Sequence, residues 1–207
     1  MSKKIISEAI IKRLPKYYRA LRNLSAQGKS KISSHALAEL LGITASQVRQ
    51  DFCSFGGFGQ QGYGYDVENL KQELANIMGL SREYNVVIIG AGNIGKALGG
   101  YQGFQKYGFK VVAMFDAMPQ VNDVNGIKVY NMTEFDDFVK NNQVDMAVIA
   151  TPKAAAQEVA DKIISTGIKS IWNFAPIDLT VPEEVIIENI SMSESLLVLS
   201  YRTNNKN

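Results

Sequence analysis

The chain has 207 residues, 46% hydrophobic and 20% charged, an ordinary make-up for a soluble globular protein and long enough for one or two packed domains. No apolar run approaches the ~20 residues of a membrane span. The opening "MSKKIISEAI" is broken by Ser7 and Glu8 where a signal peptide would be continuously apolar. A single cysteine, Cys53, excludes an internal disulfide and fits a reducing, cytoplasmic setting.

The net charge of +2 conceals an uneven distribution. Residues 1–50 carry ten Lys/Arg against two acids, and residues 81–207 carry eleven against fourteen. A basic head on a mildly acidic body points to a polyanionic partner for the head.

In the head, Ile6, Ile10, Ile11, Leu14, Tyr17, Tyr18, Leu21 and Leu24 recur at three- and four-residue steps. This predicts an amphipathic helix over residues 5–25, with Pro15 marking a kink or a helix start. Lys12, Arg13, Lys16, Arg19 and Arg22 lie among these positions. Ser33 and Ser34 cap a second helix, "HALAELLG", which Gly42 stops. Thr44 and Gln47 stand three apart as a capping box for a third, "SQVRQDF". Two short helices joined by Gly42-Ile43-Thr44 make a helix-turn-helix outline.

On the third helix, Val48, Phe52 and Phe55 pack inward, while Ser46 and Gln50 point away, flanked by Gln47 and Arg49. Arg pairs with guanine and Gln with adenine in the major groove. The stretch "GGFGQQGYGYD" (56–66) reads as a wing that presents Tyr63, and Asp66 caps a fourth helix. A solvated basic helical domain with an ordinary loop would account for these parts singly. Together they point to double-stranded DNA, with Arg13, Lys16, Ser46, Gln47, Arg49, Gln50 and Tyr63 as candidate contacts. Cys53 is expected to be a small semi-buried residue, with a thiol switch on the exposed side of the helix as the alternative.

The body alternates strands and helices. Strands at 85–90, 110–116, 127–130, 144–151, 169–174 and 185–190 are separated by helices at 93–106, near 134–140 and over "AAAQEVADKIISTG". Near-continuous apolar strands between helices mean a parallel sheet covered on both faces. "VVIIGAGNIG" (86–95) runs a strand into Gly90, Ala91, Gly92, Asn93, Ile94 and Gly95, and Asp116 ends the next strand 21 residues after Gly95. In that context the glycines permit a tight turn, close approach of backbone to a pyrophosphate, and close helix packing. Asp116 would accept from the adenosine ribose hydroxyls and repel a 2′-phosphate, selecting NAD(H). A structural turn with a surface Asp is the plainer alternative. Thr151-Pro152 and Ala175-Pro176 follow later strands at the carboxyl edge and are candidate walls of a nicotinamide pocket.

The single histidine, His35, lies in the head, where a helix-start position accounts for it. The body has no His, no Cys and no metal-ligand cluster, and only Ser191–Asn207 follows the sheet. The nucleotide is therefore expected to be read, not consumed, and the chain not to be an enzyme. A small NAD-dependent oxidoreductase with an accessory head is the runner-up. A nucleotide-binding module whose head binds protein is the third reading.

"RLPKYYRAL" (13–21), "SQVRQDFCSFGGFGQQGYGYD" (46–66), "GAGNIGKAL" (90–98), "GIKSIWNFAP" (167–176) and "VPEEVIIENI" (181–190) occur in order along the chain. In combination they resemble the Rex family of redox-sensing transcriptional repressors, and the resemblance spans essentially all of it. It implies an α/β protein: a winged-helix DNA-binding domain (1–80), a Rossmann-like NAD(H) domain (81–190) and a C-terminal helix (191–207) exchanged in a homodimer. It implies binding to operator DNA with inverted-repeat symmetry, release when NADH binds, and no membrane or metal. By position, Arg19 and Tyr101 match residues of the interdomain switch, and Tyr101 is also a candidate cofactor residue. Ser191 stands where many members carry an Asp of that switch, and it cannot make a salt bridge to Arg19.

Overall fold

Pro15 decides how the first helical segment begins. Lacking an N–H and fixed in φ, it suits a first helical turn and not an interior. The computed structural model describes residues 6–55 and 64–205, in two units, Met1–Arg82 and Glu83–Asn207. In the first, the helix expected over 5–25 is two pieces. A short α1 (Glu8–Ile11) is followed by a break at Lys12-Arg13, and α2 (Leu14–Ala26) starts with Pro15 in its first turn.

A short strand β1 (Lys31–Ile32) leads to α3 (Ser34–Leu41) and α4 (Ala45–Ser54). The Ser33 side chain accepts the Ala36 N–H and Thr44 accepts the Gln47 N–H, each at 3.1 Å. Strand β2 (Tyr65–Asp66) pairs antiparallel with β1, and Asp66 caps α5 (Val67–Ile77) by accepting the Asn69 N–H at 2.8 Å. Most of the expected wing (56–63), including Tyr63, lies outside the described residues. Tyr17, Leu21, Leu37, Val48, Phe52, Leu70 and Leu74 form the core of this unit. Each such side chain contributes about 1.5–3 kcal/mol by leaving water.

The second unit is built on β3 (Tyr84–Ile89), α6 (Asn93–Gly99), β4 (Phe109–Asp116), β5 (Asp123–Val124), β6 (Ile127–Asn131), α7 (Phe135–Asn141), β7 (Met146–Ile149), α8 (Lys153–Ser165), β8 (Ser170–Asn173), β9 (Ile186–Asn189) and α9 (Met192–Asn204). Its sheet runs β5-β6-β4-β3-β7-β8-β9, and every pair is parallel except β5 with β6. Numbered by their order in the chain, the six parallel strands run 3-2-1-4-5-6, the doubly wound dinucleotide-binding order.

Alternate residues of one strand serve opposite faces. Val87 and Ile89 of β3 join Ala113, Phe115, Ala147 and Ile149 under α7 and α8, whereas Val86 and Ile88 join Met114 and Val148 on the other side. Burial of both faces is why the strands read as unbroken apolar runs. Sequence reasoning missed β5, although "DVNGIK" carried its signal: Asn125 and Gly126 both have positive φ, as a two-residue hairpin turn requires.

Nothing in α9 is buried. Leu196 and Leu197 are 67% and 68% exposed, and Val198, Leu199 and Tyr201 are also exposed. Among the described residues no helix is long and apolar enough to cross a membrane.

Candidate nucleotide site and DNA-reading face

Strand β3 lies between β4 and β7, so the chain leaves it at the point where the winding of the sheet reverses, the place where doubly wound sheets form a ligand-binding crevice. The Gly-rich turn sits at its mouth. Gly90 has φ +105°, and a Cβ there would fall 2.5 Å from the Ala150 carbonyl oxygen. At Gly95 a Cβ would fall 1.8 Å from the Gly90 carbonyl oxygen, which is what brings α6 down onto the turn. Around Gly92 there is open space, so its backbone is accessible from the crevice. Asn93 and Ile94 begin α6.

Asp116, at the end of β4, reaches across to this turn. One carboxylate oxygen accepts the Ala91 N–H at 2.7 Å, and the other accepts the Met118 N–H at 2.9 Å. The aspartate thus holds the turn as well as standing beside it.

Backbone hydrogen bonds stitch the carboxyl edge together. Gly90 donates to Phe115, Ala150 to Ile89, Phe174 to Ile149 and Ile190 to Asn173, at 2.7–2.9 Å. Thr151-Pro152 follow β7, with Pro152 at the position before the first residue of α8, and Ala175-Pro176 follow β8. The Gly turn and Thr151 are thereby neighbours: a Cβ on Gly90 would stand 3.2 Å from the Thr151 nitrogen. Thr151 Oγ1 is the only buried side-chain polar atom without a hydrogen-bond partner among the described residues. An orphaned hydroxyl in a crevice is a group awaiting a polar ligand.

Sequence reasoning passed over Asn173, which is fully buried at the end of β8. Its side-chain oxygen accepts the Ala175 N–H at 2.9 Å, and its amide donates to the Ile177 carbonyl and to Asn189 Oδ1, both at 2.9 Å. An amide closing an apolar strand, "SIWN", was the available signal.

Tyr101 lies beyond the other end of α6 and is 59% exposed. Its ring covers Gly103 and meets Phe104 edge-on at 4.8 Å, and Phe104 meets Trp172 at 5.7 Å. It lines a cavity of about 700 Å³ with Gln102, Lys106, Phe109, Asn125 and Ile127. Phe109 and Ile127 begin their strands, so this cavity is at the amino edge of the sheet, away from the Gly-rich turn. Ser191 caps α9, its hydroxyl accepting the Glu194 N–H at 3.3 Å.

In the head, α4 buries Val48, Asp51 and Phe52 and turns Ser46, Arg49, Gln50 and Cys53 outward. Cys53 is exposed, against the semi-buried expectation, because it falls about two helical turns beyond Ser46 on the outward face. Phe55 ends α4 partly buried against the core. The Arg49 guanidinium is steadied by Ser34 and Ser46 at 3.1 Å each and remains exposed.

Arg13 and Gln47, read from sequence as DNA contacts, are committed elsewhere. Arg13 grips the buried Asp51 carboxylate through two bonds of 2.7 and 2.8 Å, Tyr17 donates its hydroxyl at 2.7 Å, and Gln47 donates its amide at 2.7 Å. The reciprocal half of the capping box is therefore absent, since the Gln47 side chain turns inward. Burial alone would raise the Asp51 carboxyl. The bonds from Arg13, Tyr17 and Gln47 outweigh it and hold the group below the ordinary aspartate range. Burial, then the bond to Asp51, pushes the Tyr17 hydroxyl up. Lys16 and Arg19, on α2, are exposed.

No cluster of His, Cys, Asp and Glu able to hold a metal occurs among the described residues. Two family models match: "Putative DNA-binding protein N-terminus" over residues 5–53 and "CoA binding domain" over residues 81–177. A redox-sensing transcriptional repressor Rex of Clostridioides difficile (strain 630) is 50% identical over 203 residues, covering 97% of each chain. Another, from Caldanaerobacter subterraneus subsp. tengcongensis, is 48% identical, covering 99% of this chain and 92% of its own. A crystal structure of RSP with β-NAD+ and operator DNA aligns with a TM-score of 0.93 and 47% identity, over 99% of this chain and 95% of that one. The structure of RSP with β-NADH aligns at 0.89 and 44%, over 99% and 97%.

Proposed function

The chain belongs to the Rex family of redox-sensing transcriptional repressors, and we propose from that premise how its parts divide the work. It is a DNA-binding repressor that senses the NADH/NAD+ ratio, a regulator and not an enzyme. The observation that carries the reading is the coexistence of a capped reading helix in one unit with a fitted, doubly wound dinucleotide crevice in the other.

NAD(H) is the ligand of the crevice. The residues fit it: Gly92 leaves backbone open, Asp116 has further lone pairs for ribose hydroxyls, and Thr151 Oγ1 lacks a partner. Gly90–Gly95 would hold the pyrophosphate, and Thr151-Pro152 with Ala175-Pro176 would flank the nicotinamide. When bound, the nicotinamide supplies a redox state to be read: planar and positively charged in NAD+, puckerable and neutral in NADH.

Ser46, Arg49 and Gln50 read bases and Lys16 contacts phosphate; Tyr63, also a candidate contact from the sequence, lies outside the described residues. Arg13 and Gln47 belong to the Asp51 cluster that holds α4 on α2. The molecule is a cytoplasmic homodimer in which α9 is exchanged. A helix apolar on more than one side and unburied in its own chain needs surfaces on both sides to cover it. Two copies present two reading helices to an inverted repeat. NADH, bound beside residues leading to α9, favours an arrangement that cannot span both half-sites. Arg19 on the head and Tyr101 on the body carry the change between units.

A titration of promoter fragments with NAD+ and NADH added separately tests the reading. Retention with NAD+ and release with NADH is expected; turnover of an alcohol or aldehyde would favour a dehydrogenase instead.

A further inference from the structure

We infer that Asn173 and Asn189 form the link by which the state of the nucleotide crevice reaches the base of α9. Asn173 is a positioning residue and Asn189 its acceptor. The inference rests on the NAD(H)-sensing reading and deepens it.

Asn173 is one of two buried polar residues among those described; the other is Asp51, in the head. Its position is at a junction. On one side it shapes the segment after β8, accepting the Ala175 N–H and donating to the Ile177 carbonyl. That segment, with Pro176 exposed at the carboxyl edge, is the wall that a bound nicotinamide would meet. On the other side its amide donates to Asn189 Oδ1 at 2.9 Å, and its backbone carbonyl accepts the Ile190 N–H at 2.8 Å. Two residues later Ser191 has capped α9.

Only Ile190 and Ser191 separate the acceptor from the first turn of the helix, with no longer loop between to absorb a movement. An amide has two N–H donors and here a third acceptor, Ala175 O, lies at 3.4 Å. A shift of the Ala175–Ile177 wall therefore has a defined consequence. If Ile177 O withdraws, the same N–H group must turn towards Ala175 O or leave Asn189, since a buried amide hydrogen left unpaired is costly. Either choice moves β9 and the start of α9 relative to β8.

The test uses the full-length protein with two variants of the exposed acceptor. Asn189→Ala removes the outer bond only, and the surface position lets water reach the released N–H. Asn189→Asp keeps an acceptor oxygen in the same place. For each, NADH affinity is measured by calorimetry, dimerisation by sedimentation, and operator affinity with and without NADH.

The NADH-induced loss of operator affinity is expected to fall about three- to fivefold in Asn189→Ala, the effect of one net hydrogen bond. NADH affinity and dimerisation should stay at wild-type values, and Asn189→Asp should keep the full response. Wild-type coupling in Asn189→Ala would overturn the link. So would a loss of NADH affinity parallel to the loss of response, because the pair would then be pocket scaffolding alone. A wild type that shows no response to NADH would contradict the sensing reading itself and this link with it.

Discussion

At the scale of single residues, the head separates two arginines that look alike in sequence. Arg49 is exposed and steadied by two serine hydroxyls, which suits the base contact proposed for it. Arg13 is locked to a fully buried carboxylate. Arg49→Ala should cost about 1–3 kcal/mol of operator binding and relax preference at one base position while leaving the melting temperature unchanged. Arg13→Ala should lower the melting temperature, since stripping one partner from a buried ion pair costs about 3–5 kcal/mol. Thermal melts beside operator titrations separate the two.

The same cluster sets an acid limit. Because the Asp51 carboxyl is held below its unfolded value, its stabilising contribution is complete above the ordinary aspartate range and is lost as pH falls through the folded-state value. Stability of wild type against Asp51→Asn, followed from pH 6 to acid, should converge as the carboxyl protonates. Asp116 holds the Ala91 and Met118 N–H groups, and in the proposed reading it would also accept from the ribose hydroxyls. Asp116→Ala should therefore weaken NADH while NADPH affinity rises or holds, as calorimetry with both cofactors would read out.

At the scale of elements, α9 is the part that does not explain itself within one chain. Helices α2 to α8 each bury at least one residue; α9 buries nothing and is apolar at Leu196, Leu197, Val198, Leu199 and Tyr201. Replacing Leu196 and Leu199 by Glu should leave the crevice intact but shift the molecule from dimer to monomer in sedimentation, and weaken operator binding through loss of the second half-site. Unchanged sedimentation would remove α9 from the interface.

Most elements were legible in the sequence because each has a local cause: caps at Ser33, Thr44 and Asp66, a stop at Gly42, and apolar runs for strands covered on both faces. What was not legible depended on contacts distant in the chain. The hold of Asp51 on Arg13 spans 38 positions. The exposure of Cys53 follows from which face of α4, the one carrying Val48 and Phe52, meets Tyr17. Asn173 draws its meaning from residues after β8 and at the end of β9. The Gly-rich turn and Asp116 were readable as types, but the bond that ties them together was not.

At the scale of the whole molecule, the crevice and the reading helix are proposed to share one equilibrium. A ligand shifts an equilibrium only by its differential affinity for the two states, and the effect is reciprocal. If NADH lowers operator affinity, operator must lower NADH affinity by the same factor, typically ~1–3 kcal/mol or roughly 5–150-fold. In the proposed reading the orphaned Thr151 hydroxyl and the open Gly92 backbone would give NADH its place, and the row of hydrogen bonds from Gly90 to Ile190 runs from there to the base of α9. The most direct measurement is the NADH dissociation constant of the wild-type protein, alone and saturated with operator DNA. NADH binding is expected to be weaker on the operator, by the same factor that NADH weakens operator binding. Equal NADH affinity in the two states would contradict it, leaving a DNA-binding protein that carries a nucleotide without sensing it.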